Sequence, residues 1–332
     1  MKKSYLRLAV LGLALLLLTG CGQAKPIQPT EEDLQVVMQA GGYDICYDEL
    51  RYYTCNLKAQ MADYYGGDIW ADAATAAPYL EELQKGVADM SRYNAAVLSL
   101  CAEFGISIDE PAIQSEVQAE VDALLEECGS KKEYRAALDT YYMNDRLFRY
   151  LTAISLCETE LYNVLLDLDL LDNTDEGAEA FFASDEFIRT LHIYISNDAG
   201  ESVEENRAKA ESIRRELDGG ADFNTLIGRH SEDFYMTTTN GYYFTRGEMD
   251  LTYEEAAFAL TEGAYSDVVE TDSGFYIIRR LPKDFDYINR NFETLKHQYL
   301  SALFYNMIEA RRDEITLTET AYGQSLALYD IQ

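Results

Sequence analysis

The sequence predicts an α+β protein in which a small domain of mixed strands and helices is inserted into a mainly helical module. Three observations lead there. Apolar residues at helical spacing dominate from Asp48 to about Leu168. A β-branched run, Thr190 to Ser196 (TLHIYIS), then opens a stretch where strand and helix signals alternate as far as Leu281. Finally, residues 288–313 return to one strong helical pattern. Its apolar face needs a partner, and the N-terminal helical part is the candidate.

Composition narrows the function. The chain has 332 residues, 27 Lys or Arg against 59 Asp or Glu, and a formal charge of −32. Such a surface repels DNA, RNA and anionic lipid head groups, so nucleic-acid binding is excluded as a function. A hydrophobic content of 48%, with 26 Tyr, supplies a core and rules out disorder throughout. Only one long apolar run exists, so the chain is not a polytopic membrane protein.

That run is Leu8 to Leu18, preceded by Lys2, Lys3 and Arg7. It is too short to span a bilayer and reads as a secretory signal over residues 1–20. It ends at Leu18-Thr19-Gly20-Cys21, which resembles the bacterial lipobox. The resemblance implies cleavage before Cys21, lipid on its thiol, and localisation at the outer face of the cell membrane. Residues 21–33 contain two prolines and no apolar period, as expected of a tether. The other cysteines, Cys46, Cys55, Cys101, Cys128 and Cys157, have no zinc spacing. They read as small buried hydrophobes, with a single bridge left open.

A helical domain is expected over 34–183. Residues 34–47 suggest a hairpin or strand around Gly41-Gly42. Leu80, Leu83, Val87, Met90, Val97, Leu100 and Phe104 form one helical stripe, stopped by Gly105. Pro111 sits near the next helix start, where its missing N–H costs nothing. Val117, Val121 and Leu124 continue that helix, Gly129-Ser130 breaks it, and helical pattern resumes from Lys131 to Leu168. The acidic run 167–177 lacks the register of a calcium loop and reads as a solvated helix end before a linker.

In the mixed region, Ser202 and Glu205 make a capping box, and the helix they open ends at Asp218-Gly219-Gly220. Short strands are expected at Gly241–Phe244, Val268–Thr271 and Gly274–Leu281. In the last helix, Phe292, Leu295, Tyr299, Leu303 and Met307 share a face. The tail Ile315–Tyr329 alternates weakly enough to add a strand.

Six short segments of the mixed region carry a resemblance. They are His192-Ile193-Tyr194-Ile195, Gly220-Ala221-Asp222-Phe223, Ser231-Glu232-Asp233, Phe244-Thr245-Arg246-Gly247-Glu248-Met249, Glu255-Ala256-Ala257-Phe258-Ala259-Leu260, and Glu270 to Ile278 (ETDSGFYII). In this order and spacing, residues 184–283 resemble the parvulin family of peptidyl-prolyl isomerases. With the lipobox and flanking helices, the chain resembles PrsA-type foldase lipoproteins and, more distantly, the chaperone SurA. The resemblance implies a small antiparallel sheet with surrounding helices, and residues 284–332 packing back on the N-terminal domain.

Isomerising a prolyl bond breaks no covalent bond, so neither cofactor nor metal is implied. The site must hold the proline ring and favour the twisted amide. The resemblance assigns the ring pocket to Met249, Tyr253 and Phe258, with Phe244 in support; plain core packing is the alternative. It assigns the polar site to His192, Asp233, Tyr276, Ser273 and Thr271. Tyr253 stands where the family commonly has Phe, and Tyr276 where it has a second histidine. A phenol donates one hydrogen bond and accepts another, so Tyr276 could still orient His192, although it cannot reproduce imidazole tautomers. Thr271 and Ser273 are expected to tie the two neighbouring strands together. His230 and His297 have no partner pattern and read as surface or packing residues.

The resulting expectation is a lipid-anchored extracytoplasmic foldase, both isomerase and chaperone, acting on unfolded secreted proteins and compatible with a homodimer. A chaperone whose parvulin domain binds peptide without catalysis is the alternative, and a solute-binding lipoprotein is a third reading that the six segments oppose.

Overall fold

A computed structural model describes residues 29–197, 202–236, 240–271 and 273–332. The signal region and Cys21 lie outside the described residues. The chain divides into two compact units: residues 29–170 with 306–332, and residues 171–305.

The first unit begins with β1 (Val36–Ala40) and β2 (Tyr43–Cys46). They form an antiparallel hairpin joined by Gly41 and Gly42, at φ 57° and 92°. Positive φ at both loop positions suits the two-residue turn, and glycine adopts it without steric cost. Helices α1 (Tyr47–Tyr65), α2 (Ala73–Ala76), α3 (Leu80–Glu103), α4 (Pro111–Cys128), α5 (Lys131–Thr140) and α6 (Asp145–Asp167) follow. Gly129 closes α4 in the left-handed conformation, and Ser130 caps α5 by accepting from the Glu133 N–H. The helical pattern over 131–168 is interrupted at Tyr142, φ 58°, before Asn144 caps α6.

Leu83, Val87, Val97, Leu147, Ile154 and Leu161 are buried in this unit, as are Cys55, Cys101 and Cys157. All five described cysteines are free thiols, and Cys101 Sγ donates to the Cys157 carbonyl. Two carboxylates beneath the hairpin differ sharply. Asp48 is fully buried but paired: Arg146 grips both its oxygens, Asn144 Nδ2 donates at 2.9 Å, and the Glu49 N–H donates at 2.9 Å. Glu49 is equally buried but its partners are neutral: it accepts from the Tyr53 hydroxyl at 2.8 Å, itself held by Asn94 at 2.6 Å. Burial pushes the Glu49 carboxyl up to about 7.

The second unit starts with α7 (Asp175–Ala183) and holds β3 (Ile188–Ser196), α8 (Val203–Asp218), α9 (Phe223–His230), β4 (Tyr242–Phe244), α10 (Leu251–Ala259), β5 (Val269–Thr271), β6 (Gly274–Leu281) and α11 (Phe285–Arg290). The capping box of Ser202 and Glu205 opens α8. Gly219 is right-handed, and Gly220 supplies the left-handed turn at φ 90°. The four strands lie in the order β4-β3-β6-β5, all antiparallel. One sheet face buries Leu191, Ile193, Ile195, Phe275 and Ile277 against Ile213, Leu217, Phe223 and Leu226 of α8 and α9. Each such side chain contributes about 1.5–3 kcal/mol.

Helix α12 (Phe292–Glu314) runs through the division. Residues 292–305 count with the second unit, where Tyr299 donates to Asp172 and Phe292 packs edge-on to Phe182. Beyond residue 305 it counts with the first, where Arg311 holds Ser99 and Glu103. After α12, β7 (Leu317–Glu319) adds antiparallel to β1, and α13 (Ala321–Ser325) closes the described chain with a final turn. Among the described residues, no helix is long and apolar enough to cross a membrane.

The buried Glu49 makes stability depend on pH. Folded, it holds its proton up to about pH 7; unfolded, its ordinary value is 4.5. Its stabilising contribution is complete below pH 4.5 and is lost as pH rises through 7. Each tenfold difference in proton affinity is worth about 1.4 kcal/mol, so the loss comes to about 3 kcal/mol in all. Glu49→Gln stays neutral and keeps an acceptor for Tyr53. Denaturant titrations of both chains from about pH 4 to 8 should show the variant gaining on the wild type as pH rises. A constant difference would refute the buried, titrating acid.

Candidate active site

The strand period places the site. Alternation turns Thr190, His192 and Tyr194 away from the face covered by α8 and α9, and Tyr276 and Ile278 of β6 turn the same way. Tyr194 lies directly opposite Tyr276, and the two rings stack at 4.6 Å. His192 lies one pair further along, opposite Ile278.

Strand β4 pairs with β3 only over Ile188 to Thr190, which leaves the upper edge of β3 without a strand. The loop after α9 takes its place. Ser231 Oγ accepts from the Tyr194 N–H, the Glu232 N–H donates to the Tyr194 carbonyl, and Glu232 Oε2 accepts from the Ser196 N–H. Lys209 anchors Glu232 from α8. These bonds lash Ser231-Glu232-Asp233 to the sheet and bring Asp233 to His192.

His192 is 3% exposed, and both ring nitrogens are satisfied. Nε2 lies 2.9 Å from Asp233 Oδ2, and Nδ1 lies 3.0 Å from the Tyr253 hydroxyl, which lies 2.9 Å from Thr190 Oγ1. An ionised carboxylate only accepts, so Nε2 of the neutral ring carries the proton. Nδ1 then accepts from Tyr253, and Tyr253 accepts from Thr190. The chain of donors runs one way, from Thr190 through Tyr253 and His192 to Asp233.

Asp233 collects two further donors: the Tyr235 N–H at 2.8 Å on Oδ1 and the Tyr242 hydroxyl at 2.9 Å on Oδ2. The bond from His192, aided by the Tyr235 N–H and Tyr242, holds its carboxyl down at about 2. Tyr242 also stacks on His192, with ring centroids 5.5 Å apart. Its placement needs Gly241, at φ 67°, where a Cβ would lie 2.3 Å from the Thr190 carbonyl oxygen. Tyr242 did not stand out in the sequence; its signal was a tyrosine directly after a turn glycine.

One sequence expectation needs correction. Tyr276 does not orient His192 by a hydrogen bond. Its ring meets the imidazole edge-on at 5.1 Å, and its hydroxyl lies 3.3 Å from Ser273 Oγ. A phenol is longer than an imidazole and carries its oxygen past the histidine to the β5–β6 turn. Thr271 Oγ1 lies 3.1 Å from Ser273 Oγ and donates to the Gly274 carbonyl, a link from the end of β5 to the start of β6. Burial pushes the Tyr276 hydroxyl up to about 12.

The apolar residues gather beside this network. Ile188, Phe244, Tyr253, Ala257 and Ile278 form a buried cluster, with Met249, Phe258, Tyr242 and Tyr276 partly buried against it. Tyr253 and Phe244 are each 1% exposed, which makes them the floor beneath Met249 and Phe258 rather than its surface. Arg246 lies over the Phe258 ring at 4.2 Å. The buried Glu254 accepts from the Gly247 and Met249 N–H groups and so fixes the loop that presents Met249. His230 sits at the end of α9 near Glu216, and His297 is exposed on α12. Among the described residues, no group of three or more His, Cys, Asp or Glu is arranged to hold a metal ion.

Residues 180–283 match the PPIC-type PPIase domain, and that segment is a domain of this kind. The chain is 26% identical over 235 residues to foldase protein PrsA of Exiguobacterium sibiricum, covering 68% of this chain and 70% of that protein. It is 41% identical over 75 residues to the peptidyl-prolyl cis-trans isomerase Pin1 of Digitalis lanata, covering 22% of this chain and 64% of that protein. A solved foldase protein PrsA from Streptococcus pneumoniae aligns with 76% of this chain and 94% of its own, at 20% identity and a TM-score of 0.34.

The wiring of His192 is testable without an activity assay. Tyr253→Phe keeps the ring but leaves a buried Nδ1 without its donor. Stability of the second unit should fall by about 1–3 kcal/mol in denaturant titration, and the His192 ¹⁵N shifts should move. Unchanged stability and unchanged shifts would mean that Tyr253 does not bond His192.

Proposed function

We propose that the chain is a lipid-anchored extracytoplasmic foldase that isomerises Xaa-Pro bonds in secreted proteins, with its helical unit acting as a chaperone. The observation that carries this reading is a fully wired His192–Asp233 pair beside an apolar cluster containing Met249 and Phe258, inside a PPIC-type PPIase domain. The helical module, the named foldase relatives and the lipobox support the rest.

The roles follow from what twisting the amide does. As the C–N bond rotates, the nitrogen regains its lone pair and the carbonyl oxygen loses partial negative charge. A carboxylate beside that oxygen destabilises the planar amide more than the twisted one, which lowers the barrier. Asp233 stays ionised far below neutral pH and can supply that charge. Met249 and Phe258, over the floor of Tyr253 and Phe244, would receive the proline ring. His192 is too buried to reach substrate freely, so its role is to hold Asp233. Tyr276 and Ser273 present hydroxyls at the site's edge. No loss or gain of a proton is needed.

A second reading keeps peptide binding and chaperone action without catalysis. The specific observation in its favour is that Tyr276 leaves His192 without the second imidazole of the related family.

The deciding experiment is a prolyl isomerisation assay with the full chain. Wild type should accelerate isomerisation, and Asp233→Ala should lower kcat/KM by roughly tenfold or more, a common loss when a charge aimed at the transition state is removed. Its melting temperature should fall, because His192 Nε2 and the Tyr242 hydroxyl lose their acceptor, so both proteins are assayed well below their unfolding midpoints. A binding but inactive wild type would favour the chaperone reading, and an active Asp233→Ala would remove Asp233 from the mechanism. Anchoring is tested separately: a labelled fatty acid should tag the wild type and not Cys21→Ala. Equal labelling would refute the anchor.

A further inference from the structure

We infer that Tyr242 is a positioning residue for the candidate reaction: its hydroxyl pins the Asp233 carboxylate, and its ring fixes the imidazole on the other side of that bond. The inference rests on the isomerase reading of the same site and adds a residue to it.

Three observations carry it. First, Tyr242 and His192 donate to the same oxygen, Asp233 Oδ2, both at 2.9 Å, while the Tyr235 N–H takes Oδ1. With three donors, the carboxylate cannot rotate without losing a charge-assisted bond. Second, the Tyr242 ring lies parallel to His192 within 21°, with Tyr253 and Tyr276 edge-on to the same imidazole. The ring therefore cannot swing away from Asp233. Third, the backbone places Tyr242 deliberately. It pairs with Thr190, the far end of the donor chain, directly after a glycine whose conformation and close approach exclude a Cβ. Tyr242 thus touches the network at Asp233 and His192, and its strand partner holds the other end. Its own hydroxyl is held protonated well above the usual phenol range, by burial and by the Asp233 charge, so it remains a donor at neutral pH.

Other tyrosines do not share this position. Tyr276 bonds Ser273, and Tyr194 donates to the Ser273 carbonyl. Only Tyr242 and His192 have side chains donating to the charge proposed to act on the substrate, among the described residues.

Tyr242→Phe tests the claim, since it keeps the stacked ring and removes one donor. In the full chain, labelled with ¹³C at aspartate carboxyls, the Asp233 midpoint should rise from about 2 toward its ordinary 3.8. The acid limb of kcat/KM should rise with it, and kcat/KM at neutral pH should fall roughly three- to tenfold, with KM nearly unchanged. Tyr265→Phe, which removes a hydroxyl bonded to Leu217 far from Asp233, should change neither. A second measurement does not depend on the Tyr242 variant folding: Asp233→Asn should lower the pH at which Tyr242 ionises. If the wild type proves inactive, the isomerase reading fails, and the two titrations still test Tyr242. Unmoved midpoints in both would overturn the inference, as would an active Tyr242→Phe with a wild-type pH profile.

Discussion

The antiparallel ladder between β3 and β6 governs the second unit. It runs from Arg189 opposite Leu281 to Ser196 opposite Gly274 without a break in register. Because side chains alternate, this one ladder assigns two jobs at once. Leu191, Ile193, Ile195, Phe275 and Ile277 build the core under α8 and α9, and His192, Tyr194 and Tyr276 are delivered to the other face. A slip of one residue would bury the imidazole among aliphatic side chains and expose the core. The hydrophobic face therefore enforces the polar one. Gly274 belongs to this constraint, since at φ 149° a Cβ there would lie 2.1 Å from the Ile195 carbonyl oxygen.

Much of this was legible in the sequence because it depends on period and punctuation. The β-branched run around His192 gave β3, the glycine pair gave the first hairpin, and Gly129-Ser130 gave the break between α4 and α5. The helical region from Asp48 onward was equally visible, but the break at Tyr142 and the cap at Asn144 were not. What the sequence did not carry was hydroxyl direction. Tyr276, Thr271 and Ser273 were expected near His192; the Tyr276 ring does pack on it, yet the three hydroxyls turn to one another. Tyr253 looked like a pocket wall because its family position is aromatic. It lies under the surface, and its one added oxygen becomes the partner of Nδ1. Reach and rotamer decide such bonds, and neither has a period to read. Tyr242 was missed for a related reason: it matters through the atoms it meets, not through a motif it completes.

The buried acids illustrate how one residue type takes different roles by its surroundings. Asp48 is charge-paired and holds a helix cap against a hairpin. Glu254 accepts two backbone N–H groups and shapes the Met249 loop. Glu49 has neutral hydrogen-bond partners and is pushed toward neutrality by burial. Asp233 gathers three donors and stays charged at the surface of its unit. In a chain with more than twice as many acids as bases, each folded-in carboxylate must find such a solution, or lose its charge.

The one-way chain of donors from Thr190 to Asp233 has a consequence for kinetics in heavy water. Every acceptor in it is filled from within the protein, and twisting an amide moves no proton between atoms. A turnover therefore begins and ends with the same hydrogens on the same oxygens and nitrogens. Exchanging them for deuterium alters bond strengths slightly but removes no transfer step, so the isomerisation should run at nearly the same speed in either solvent. In this site, the protons serve as struts.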